Sequence, residues 1–313
     1  MNLLALNPMT LFTALPGNIA QGIIWGIMAI GVYMTFRLLR FSDLTVDGSF
    51  ATGGAVAVML IINDVPSPVA MLAAFGAGLL AGLVTGLLHT VFGIPDILAG
   101  ILSQIALYSI NLRIMFGRAN QAVSVDKYFL VVSLRDIMKS LLVGAVIALV
   151  LIGILYWFFG TEKGSAIRAT GCNPEMSMAQ GININSTKVL TLALSNGLVA
   201  LSGALLAQYQ GFSDVNMGRG AIVIGLAAVI IGEVLGEALF GKRLNFFGRL
   251  LFVVLGGVIY YIVVGLVLWL RMPSNDLKLF TAIIVAVFLA VPYLRAKAQN
   301  SYAKSAKKGA KKV

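Results

Sequence analysis

The stretch GTEKGSAIRATGCNPEMSMAQGININSTK, residues 160–188, is a polar interruption between two long apolar runs. Within it, Asn173-Pro174-Glu175 is typical of a helix start, because Asn accepts a hydrogen bond from a free amide, Pro suits the first helical position and Glu complements the positive end of the helix dipole. Gly181 is placed to end that helix. A short exposed helix held between two apolar segments favours a docking element over a simple connector.

The rest of the chain is too apolar for a soluble fold. Of its 313 residues, 59% are hydrophobic and 11% are charged, and the mean hydropathy is +0.95. This composition predicts an all-α polytopic membrane protein. The net charge is +11, but seven of the 23 basic residues lie between Arg295 and Lys312. A basic tail just after a span favours contact with anionic lipid, and we expect no nucleic acid partner.

About nine segments, within a range of eight to ten, have the length and hydropathy of a membrane span. They are 17–37, 46–62, 66–89, 97–116, 137–160, 187–209, 219–240, 248–270 and 277–294. Leu3 to Leu15 is too short to cross, so we expect an interfacial or partial helix there. In the third span, Gly78, Gly82 and Gly86 share one face, which favours close helix packing.

The charge distribution predicts the orientation. The positive-inside rule places the basic tail in the cytoplasm, and Lys242, Arg243 and Arg249 lie in one short loop on the same side. Counting back through four spans places residues 160–188 in the cytoplasm, and continuing to the start places the N-terminus outside. The predicted outer loop 117–136 is also basic, which weakens the bias.

Two short segments resemble each other: FSDLTV at 41–46 and FSDVNM at 212–217. Each leads into an apolar run rich in small residues. They are separated by five predicted spans, an odd number, so the two copies would lie on opposite faces of the bilayer. This is the arrangement of inverted-topology repeats, whose matched helices meet near the midplane and line a path. A chance match remains the alternative, since Ser-Asp before a helix is also an ordinary cap.

Polar side chains and glycine enter the second predicted span together, in DGSFATGG at 47–54. Irregular backbone at membrane depth is tolerated only where it faces protein or a water-filled cavity. The candidate translocation-pathway residues, taken from this segment, from the second repeat and from polar positions of other spans, are Asp47, Ser49, Phe50, Thr52, Gly53, Asn111, Asn196 and Gly220. Two alternatives remain open: Asp47 and Ser49 cap a half-helix, and the asparagines hydrogen-bond between helices.

Glu233 and Glu237 lie four residues apart near the cytoplasmic end of the seventh span, so they share a helix face. They are either a gate or coupling element, or simply ion-pair partners of the basic residues that follow them. His89 is the only histidine and has no companions suited to a metal site or a catalytic dyad. The chain also lacks a Walker A motif. We therefore expect a transporter component that is not an enzyme and binds no cofactor of its own.

At this point the residues resemble a known family. AIRATGCNPEM at 166–176, followed by Gly-Ile-Asn at 181–183, is similar to the cytoplasmic coupling loop of ABC importer permeases of the branched-chain amino acid and ribose type. The stretch 22–58 resembles the opening of the same permeases. AVIIGE at 228–233 and DLKL at 276–279 resemble a subgroup associated with aromatic or related amino acids. The resemblance covers nearly the whole chain.

The resemblance implies a single transmembrane permease domain, 1–296, with a cytoplasmic coupling loop at 160–188 and a basic cytoplasmic tail at 297–313. Two permeases, as a homodimer or with a paralogue, would form a pore in a bacterial-type cell membrane. Each would dock on a separate cytoplasmic ABC ATPase that binds ATP and Mg²⁺. An extracytoplasmic binding protein would deliver a small solute, with an amino acid, branched-chain or aromatic, preferred.

The resemblance also assigns roles within the coupling loop. It implies docking on the ATPase by five residues and loop geometry for two glycines: Asn173, Pro174, Glu175, Met176 and Ala179, then Gly171 and Gly181. Arg168 either binds the ATPase or bonds carbonyls of its own loop. A secondary transporter driven by an ion gradient remains the alternative function, because inverted repeats and buried acids suit it equally. Gradient-driven uptake by the chain alone would discriminate the two.

Overall fold

The computed structural model describes residues 8–241 and 244–269, and isolated helical positions between 279 and 290. The described chain is a helical bundle with one two-stranded sheet. Its elements in chain order are α1 (Pro8–Val32) with a π-helical continuation, the π segment (Tyr33–Leu39), α2 (Thr45–Ile62), α3 (Ser67–Thr90), α4 (Asp96–Ile114), β1 (Asn120–Ala122), α5 (Ile137–Gly160), α6 (Glu162–Cys172), α7 (Pro174–Ala179), α8 (Ile184–Gln210), β2 (Phe212–Asp214), α9 (Ala221–Phe240) and α10 (Phe246–Trp269). A short 3₁₀ turn, Leu134–Asp136, precedes α5.

Eight helical segments of the described residues are long and apolar enough to cross a membrane. They coincide with the first eight predicted spans, which confirms an α-helical polytopic membrane protein. The ninth predicted span, 277–294, lies mostly outside the described residues, as do Lys242, Arg243 and the basic tail. An interfacial or partial helix was expected at Leu3 to Leu15. From Pro8 onward this segment is part of α1, which continues through Pro16 without a break.

The bundle has two distinguishable ends. At one end, which we call the sheet end, β1 pairs antiparallel with β2 and Asn120 lies opposite Asp214. At the other, the α7 end, the short helices α6 and α7 connect α5 to α8. Because α5 and α8 each run from one end to the other, the sheet and the polar loop 160–188 lie on opposite sides of the bundle.

The glycines of α3 pack closely on α8, one of the most buried helices of the bundle. Most of the α8 residues between Thr191 and Tyr209 are buried. A Cβ placed on Gly78 or Gly82 of α3 would overlap the α8 backbone at Asn196 and Leu192 respectively. The predicted glycine face of the third span therefore brings these two helices into backbone contact, as small residues do in membranes.

The two FSD segments lie at opposite ends of the bundle, which is the arrangement that the predicted inverted repeat requires. The first segment follows α1 at the α7 end, where Leu38 lies against α6, and the second follows α8 at the sheet end. Each aspartate accepts a hydrogen bond from the amide two residues later: Asp43 Oδ1 from Thr45 N at 2.9 Å, and Asp214 Oδ1 from Asn216 N at 2.6 Å. Beyond this turn the two segments differ, because Phe41–Asp43 is irregular and α2 begins at Thr45, whereas Phe212–Asp214 forms β2 and α9 begins only at Ala221.

Candidate functional site

The first helices of the two repeats, α2 and α9, meet inside the bundle at Asp47. Its Oδ2 accepts a hydrogen bond from Gly220 N at 2.9 Å, and its Oδ1 accepts one from Ile222 N at 2.9 Å. Gly220 has φ +85°, a left-handed conformation that favours glycine. The carboxylate lies at the positive end of the α9 dipole. Asp47 therefore belongs to α2 but caps the start of α9.

A cavity of about 310 Å³ lies beside this junction, close to the lower limit of about 300 Å³ for ligand pockets. It is bounded by α2, by α4 and by the segment 215–219 that enters from the sheet end. The lining residues are Asp47, Gly48, Gln104, Ile105, Tyr108, Ser109, Asn111, Val215, Asn216 and Arg219. The cavity reaches the protein surface where Ile105, Tyr108 and Arg219 are exposed, and its size suits one small solute.

Several polar groups of this cavity have no partner within the described chain. Asn111 is 1% exposed, and neither its Oδ1 nor its Nδ2 has a hydrogen-bond partner there. The buried Oδ1 of Asn216 is also unpartnered, and the exposed Arg219 side chain forms no ion pair with a described residue. A buried polar group left unpaired costs about 1–3 kcal/mol, so such groups call for an explanation. The unpartnered atoms of Asn111 and Asn216 are buried behind the cavity wall, so a solute in the cavity does not reach them without a rearrangement.

Ser49 and Asn196 lie outside the cavity and connect three segments. Ser49 Oγ donates to Asn196 Oδ1 at 2.6 Å, and Asn196 Nδ2 donates to Asp43 Oδ2 at 2.7 Å and to Leu192 O at 3.0 Å. All of these groups are buried. Burial raises the pKa of the Asp43 carboxyl, and the hydrogen bonds from Thr45 and Asn196 oppose that effect. This is the interhelical hydrogen bonding that was the alternative role of Asn196.

The remaining pathway candidates of α2 pack in the core. Phe50 stacks on Trp25 with 4.8 Å between ring centroids, Thr52 Oγ1 donates to Gly48 O at 2.9 Å, and Gly53 lies directly against the backbone of Ala200. The eight candidates therefore divide by position: Asp47 and Asn111 line the cavity, Gly220 bonds Asp47, Ser49, Phe50, Gly53 and Asn196 make contacts between helices, and Thr52 bonds within α2.

Five polar lining side chains were not among the sequence candidates, namely Gln104, Tyr108, Ser109, Asn216 and Arg219, and one signal could have found two of them. Gln104, Tyr108 and Asn111 occupy positions i, i+4 and i+7 of α4. Polar residues at this spacing in an apolar span mark one polar face. Asn216 and Arg219 carry no such signal, because the segment that contains them is irregular.

The coupling loop forms the helix that its sequence predicts. Asn173 Oδ1 accepts a hydrogen bond from Met176 N at 3.1 Å, Pro174 occupies the first position of α7, and Gly181 follows the helix with φ +81°. The side chain of Ser177 is buried, whereas Met176 and Met178 are 63% and 62% exposed. Glu175 and Ala179 are exposed as well. The predicted docking residues thus lie together on one small accessible element.

α6 joins this element to the first membrane span. Gly171 lies on the backbone of the π segment, and a Cβ at that position would overlap the carbonyl of Leu38. Arg168 Nη2 donates to Phe159 O at 2.9 Å and to Ser165 Oγ at 3.4 Å. Of the two roles considered for Arg168, the structure has it bonding a carbonyl beside its own loop. The α7 helix is therefore connected to α1 through tight backbone packing.

Glu233 and Glu237 have different surroundings. Glu233 Oε1 accepts from Arg37 Nε of the π segment at 2.7 Å, and the side chains are 20% and 55% exposed. Glu237 is exposed and forms no ion pair with a described residue; it lines a second cavity, of about 300 Å³, that also contains Glu233 and Arg249. The described ion-pair partner of Glu233 is Arg37. The predicted partners Lys242 and Arg243 lie outside the described residues.

Among the residues described, no three His, Cys, Asp or Glu side chains cluster as metal ligands.

Comparison with known proteins identifies the family. The profile of the family described as "Branched-chain amino acid transport system / permease component" matches residues 16–292. A tyrosine transport system permease protein of Clostridioides difficile (strain R20291) is 40% identical over 284 residues, covering 91% of this chain and 93% of the relative. An uncharacterized protein of Rickettsia prowazekii (strain Madrid E) is 32% identical over 275 residues, covering 86% and 94%.

A ribose import permease protein of Escherichia coli (strain K12) is 25% identical over 243 residues, covering 74% of this chain and 71% of the relative. No solved structure matches the chain. The family match spans nearly all of the helical bundle, including both repeats and the coupling loop. The chain belongs to the ABC importer permeases of the branched-chain amino acid and ribose type, and it is a multi-pass, non-enzymatic transport subunit of the cell membrane.

Proposed function

We propose that this permease imports a small solute, namely a branched-chain or aromatic amino acid, using ATP that is hydrolysed on a separate cytoplasmic ABC ATPase. An extracytoplasmic binding protein delivers the solute to the sheet end. The observation that carries the proposal is the capped, exposed helix α7, which is attached through α6 to the end of α1. The amino acid class is supported by the relative named as a tyrosine permease.

The exposed side of α7 suits a protein cleft. Met176 and Met178 present flexible thioethers that adapt to a partner surface, and the cap at Asn173 keeps the helix formed. Because Gly171 packs on the backbone of Leu38, a displacement of α7 by the ATPase is transmitted to the π segment of α1. ATP and Mg²⁺ bind to the partner in this proposal, and this chain holds neither.

A second permease copy, either identical or a paralogue, covers the mouth of the 310 Å³ cavity. The mouth is bordered by Arg219 and Tyr108, while α4 beside it exposes apolar residues such as Leu102 and Ile105. A guanidinium at membrane depth is costly against hydrocarbon and faces protein or a water-filled path instead. Two copies related across this face would enclose such a path between them.

The orientation in this proposal is the one that the charge distribution predicts. The α7 end faces the cytoplasm, the sheet end faces outward, and the basic tail at 297–313 lies against anionic lipid. A solute delivered by the binding protein must then reach the 310 Å³ cavity from the sheet end. The segment 215–219 lines this cavity and follows β2 at that end.

The first test purifies the tagged chain in mild detergent from its native membrane. We expect an ABC ATPase to co-purify, and the double substitution Glu175→Arg with Met176→Arg to abolish that co-purification without lowering the melting temperature of the permease. Arg118→Glu, a charge reversal in the predicted outer loop, serves as the matched control and should keep the ATPase. Retention of the ATPase by the double variant would contradict docking through α7.

The second test reconstitutes the purified complex in proteoliposomes with the binding protein. We expect uptake of labelled L-leucine or L-tyrosine, and we expect this uptake to require ATP on the side of the membrane where the ATPase is bound. The same chain alone, with a sodium or proton gradient and no ATPase, should take up neither. Gradient-driven uptake by the chain alone would replace this proposal with a secondary transporter.

A further inference from the structure

We propose that Arg37 of the π segment is a positioning residue for transport, which exchanges between Glu233 and Glu237 of α9 as the coupling loop moves. The inference rests on the proposed function, because it takes the displacement of α6 by the ATPase as the cause of the exchange. It is carried by one ion pair, by a second carboxylate one helical turn away, and by a cavity that both acids and Arg37 line.

The ion pair connects α9 to the segment that α6 touches. Arg37 Nε donates to Glu233 Oε1 at 2.7 Å. Arg37 directly precedes Leu38, whose carbonyl lies against Gly171 of α6. A displacement of α6 therefore acts on the backbone next to Arg37 and changes the distance between Arg37 and α9.

The π segment suits a part that changes position. π-helical turns are rare in proteins and are frequent at functional sites. This one, Tyr33–Leu39, ends at Arg40, which has φ +57°, a left-handed conformation that is uncommon for residues other than glycine. The Arg37 side chain is 55% exposed, so it has room to change rotamer. Within the described chain, the hydrogen-bond partner that holds its guanidinium is the Glu233 carboxylate.

Glu237 offers the guanidinium a second position. It lies four residues after Glu233, so the two carboxylates share one face of α9, about 6 Å apart along the helix axis. Glu237 is exposed and forms no ion pair with a described residue. A cavity of about 260 Å³ is lined by Arg37 together with both glutamates. The guanidinium can therefore pass from one carboxylate to the other through this space.

Arg249 of α10 can compensate the glutamate that Arg37 leaves. Glu233 is only 20% exposed, and a partly buried carboxylate without a counter-ion is costly. The cavity of about 300 Å³ described above is lined by Glu233, Glu237 and Arg249. Each glutamate thus has a basic side chain across a cavity in either arrangement. The two arrangements are discrete positions of the π segment along α9, as in other transitions in which one element moves past another by a helical turn.

The test uses the complex of permease, ATPase and binding protein in proteoliposomes, with L-leucine, L-tyrosine and D-ribose as labelled probes. The variants are measured with whichever probe wild type imports. Glu237→Gln should lower the maximal rate of ATP-driven uptake about fivefold, the lower end of typical coupling between two sites. Its half-saturating solute concentration and its melting temperature should stay at the wild-type values, because Glu237 forms no ion pair with a described residue. Glu233→Gln should lower both the uptake and the melting temperature, since it removes the observed pair.

Further variants serve as controls. Glu237→Asp keeps the carboxylate and should recover most of the uptake. Glu162→Gln makes the same change on an exposed glutamate at the α7 end that lines neither cavity, so it should transport at the wild-type rate. Arg37→Gln should lower uptake at least as much as Glu237→Gln, and combining the two should lower it no further, because both remove the same contact. The ATPase should co-purify with every variant, since α7 is unchanged.

A charge swap separates an exchange from a static pair. Arg37→Glu combined with Glu233→Arg restores one ion pair with its charges reversed, so the melting temperature should rise above that of either single substitution. Uptake should stay low, because the carboxylate introduced on the π segment is repelled by Glu237 and cannot pair with it.

The outcomes separate this inference from the proposed function. If wild type imports a probe with ATP and Glu237→Gln imports it equally fast, the exchange is overturned and ATP-driven import stands. The same conclusion holds if the charge swap restores uptake together with the melting temperature, because the pair is then static. If Glu237→Gln lowers uptake further in the Arg37→Gln background, Glu237 acts through another partner and the exchange is again overturned. If wild type takes up solute only with an ion gradient, the proposed function fails and this inference with it.

Discussion

Replacing Asp47 with Asn tests the junction between the two repeats. The carboxylate accepts two hydrogen bonds of 2.9 Å from the start of α9, and each is of the charged type, worth about 1.5–3 kcal/mol against about 0.5–1.5 kcal/mol for a neutral one. A carboxamide has a single acceptor oxygen, so one amide of α9 would face an NH₂ group. Losing the charge at the helix N-terminus removes a further 0.3–1 kcal/mol or so. We expect Asp47→Asn to lower the free energy of unfolding by roughly 2–4 kcal/mol.

Thermal unfolding of the detergent-purified chain measures this loss. Trp25 stacks on Phe50 of α2, so tryptophan fluorescence reports the environment of the same helix. At the roughly 2–4 °C per kcal/mol that applies to domains of about 150–250 residues, the melting temperature should fall by roughly 4–16 °C. Asp126→Asn is the matched control, because Asp126 forms an exposed ion pair with Arg135 that is worth no more than about 1 kcal/mol. Equal melting temperatures for Asp47→Asn and the control would refute the proposed cap.

Two further substitutions test the connection from the docking helix to α1. Asn173→Ala removes the acceptor of the Met176 amide and should destabilise α7 by about 1 kcal/mol, seen as faster hydrogen exchange at 174–179 and weaker ATPase co-purification, with an unchanged melting temperature. Gly171→Val should force α6 away from the carbonyl of Leu38 at a cost of about 1–3 kcal/mol and lower uptake more than ATP hydrolysis. Gly160→Ala, where a Cβ meets open space, should leave both activities at the wild-type level; equal behaviour of Gly171→Val and this control would contradict the connection.

The spans and the docking helix could be predicted because their causes are local. A span requires only enough consecutive apolar residues, and eight of the predicted segments are helices in the described chain. The start of α7 depends on Asn173 and Pro174, whose effects reach only one turn. The placement of the two FSD segments at opposite ends also followed from the span count, and their aspartates act on amides only two residues away.

The partners of the polar groups could not be predicted, because they come from distant parts of the chain. Asp47 is correctly placed in the second span by sequence, but its bonds to Gly220 and Ile222 depend on how the two repeats cross. In the same way Glu233 pairs with Arg37 rather than with a neighbour in its own helix. The π segment that carries Arg37 has no distinct composition, so neither it nor the ion pair has a sequence signal.

The contacts also indicate how a movement at α7 reaches the cavity. Gly171 of α6 lies on the π segment, which ends at Arg40 in a left-handed conformation, and the following turn presents Asp43 to Asn196. Asn196 bonds Ser49 of α2, two residues after Asp47, which accepts hydrogen bonds from the start of α9. Because two charged hydrogen bonds oppose the separation of α2 from α9, these helices should move as a pair, and a displacement at the α7 end would then change the width of the cavity beside them.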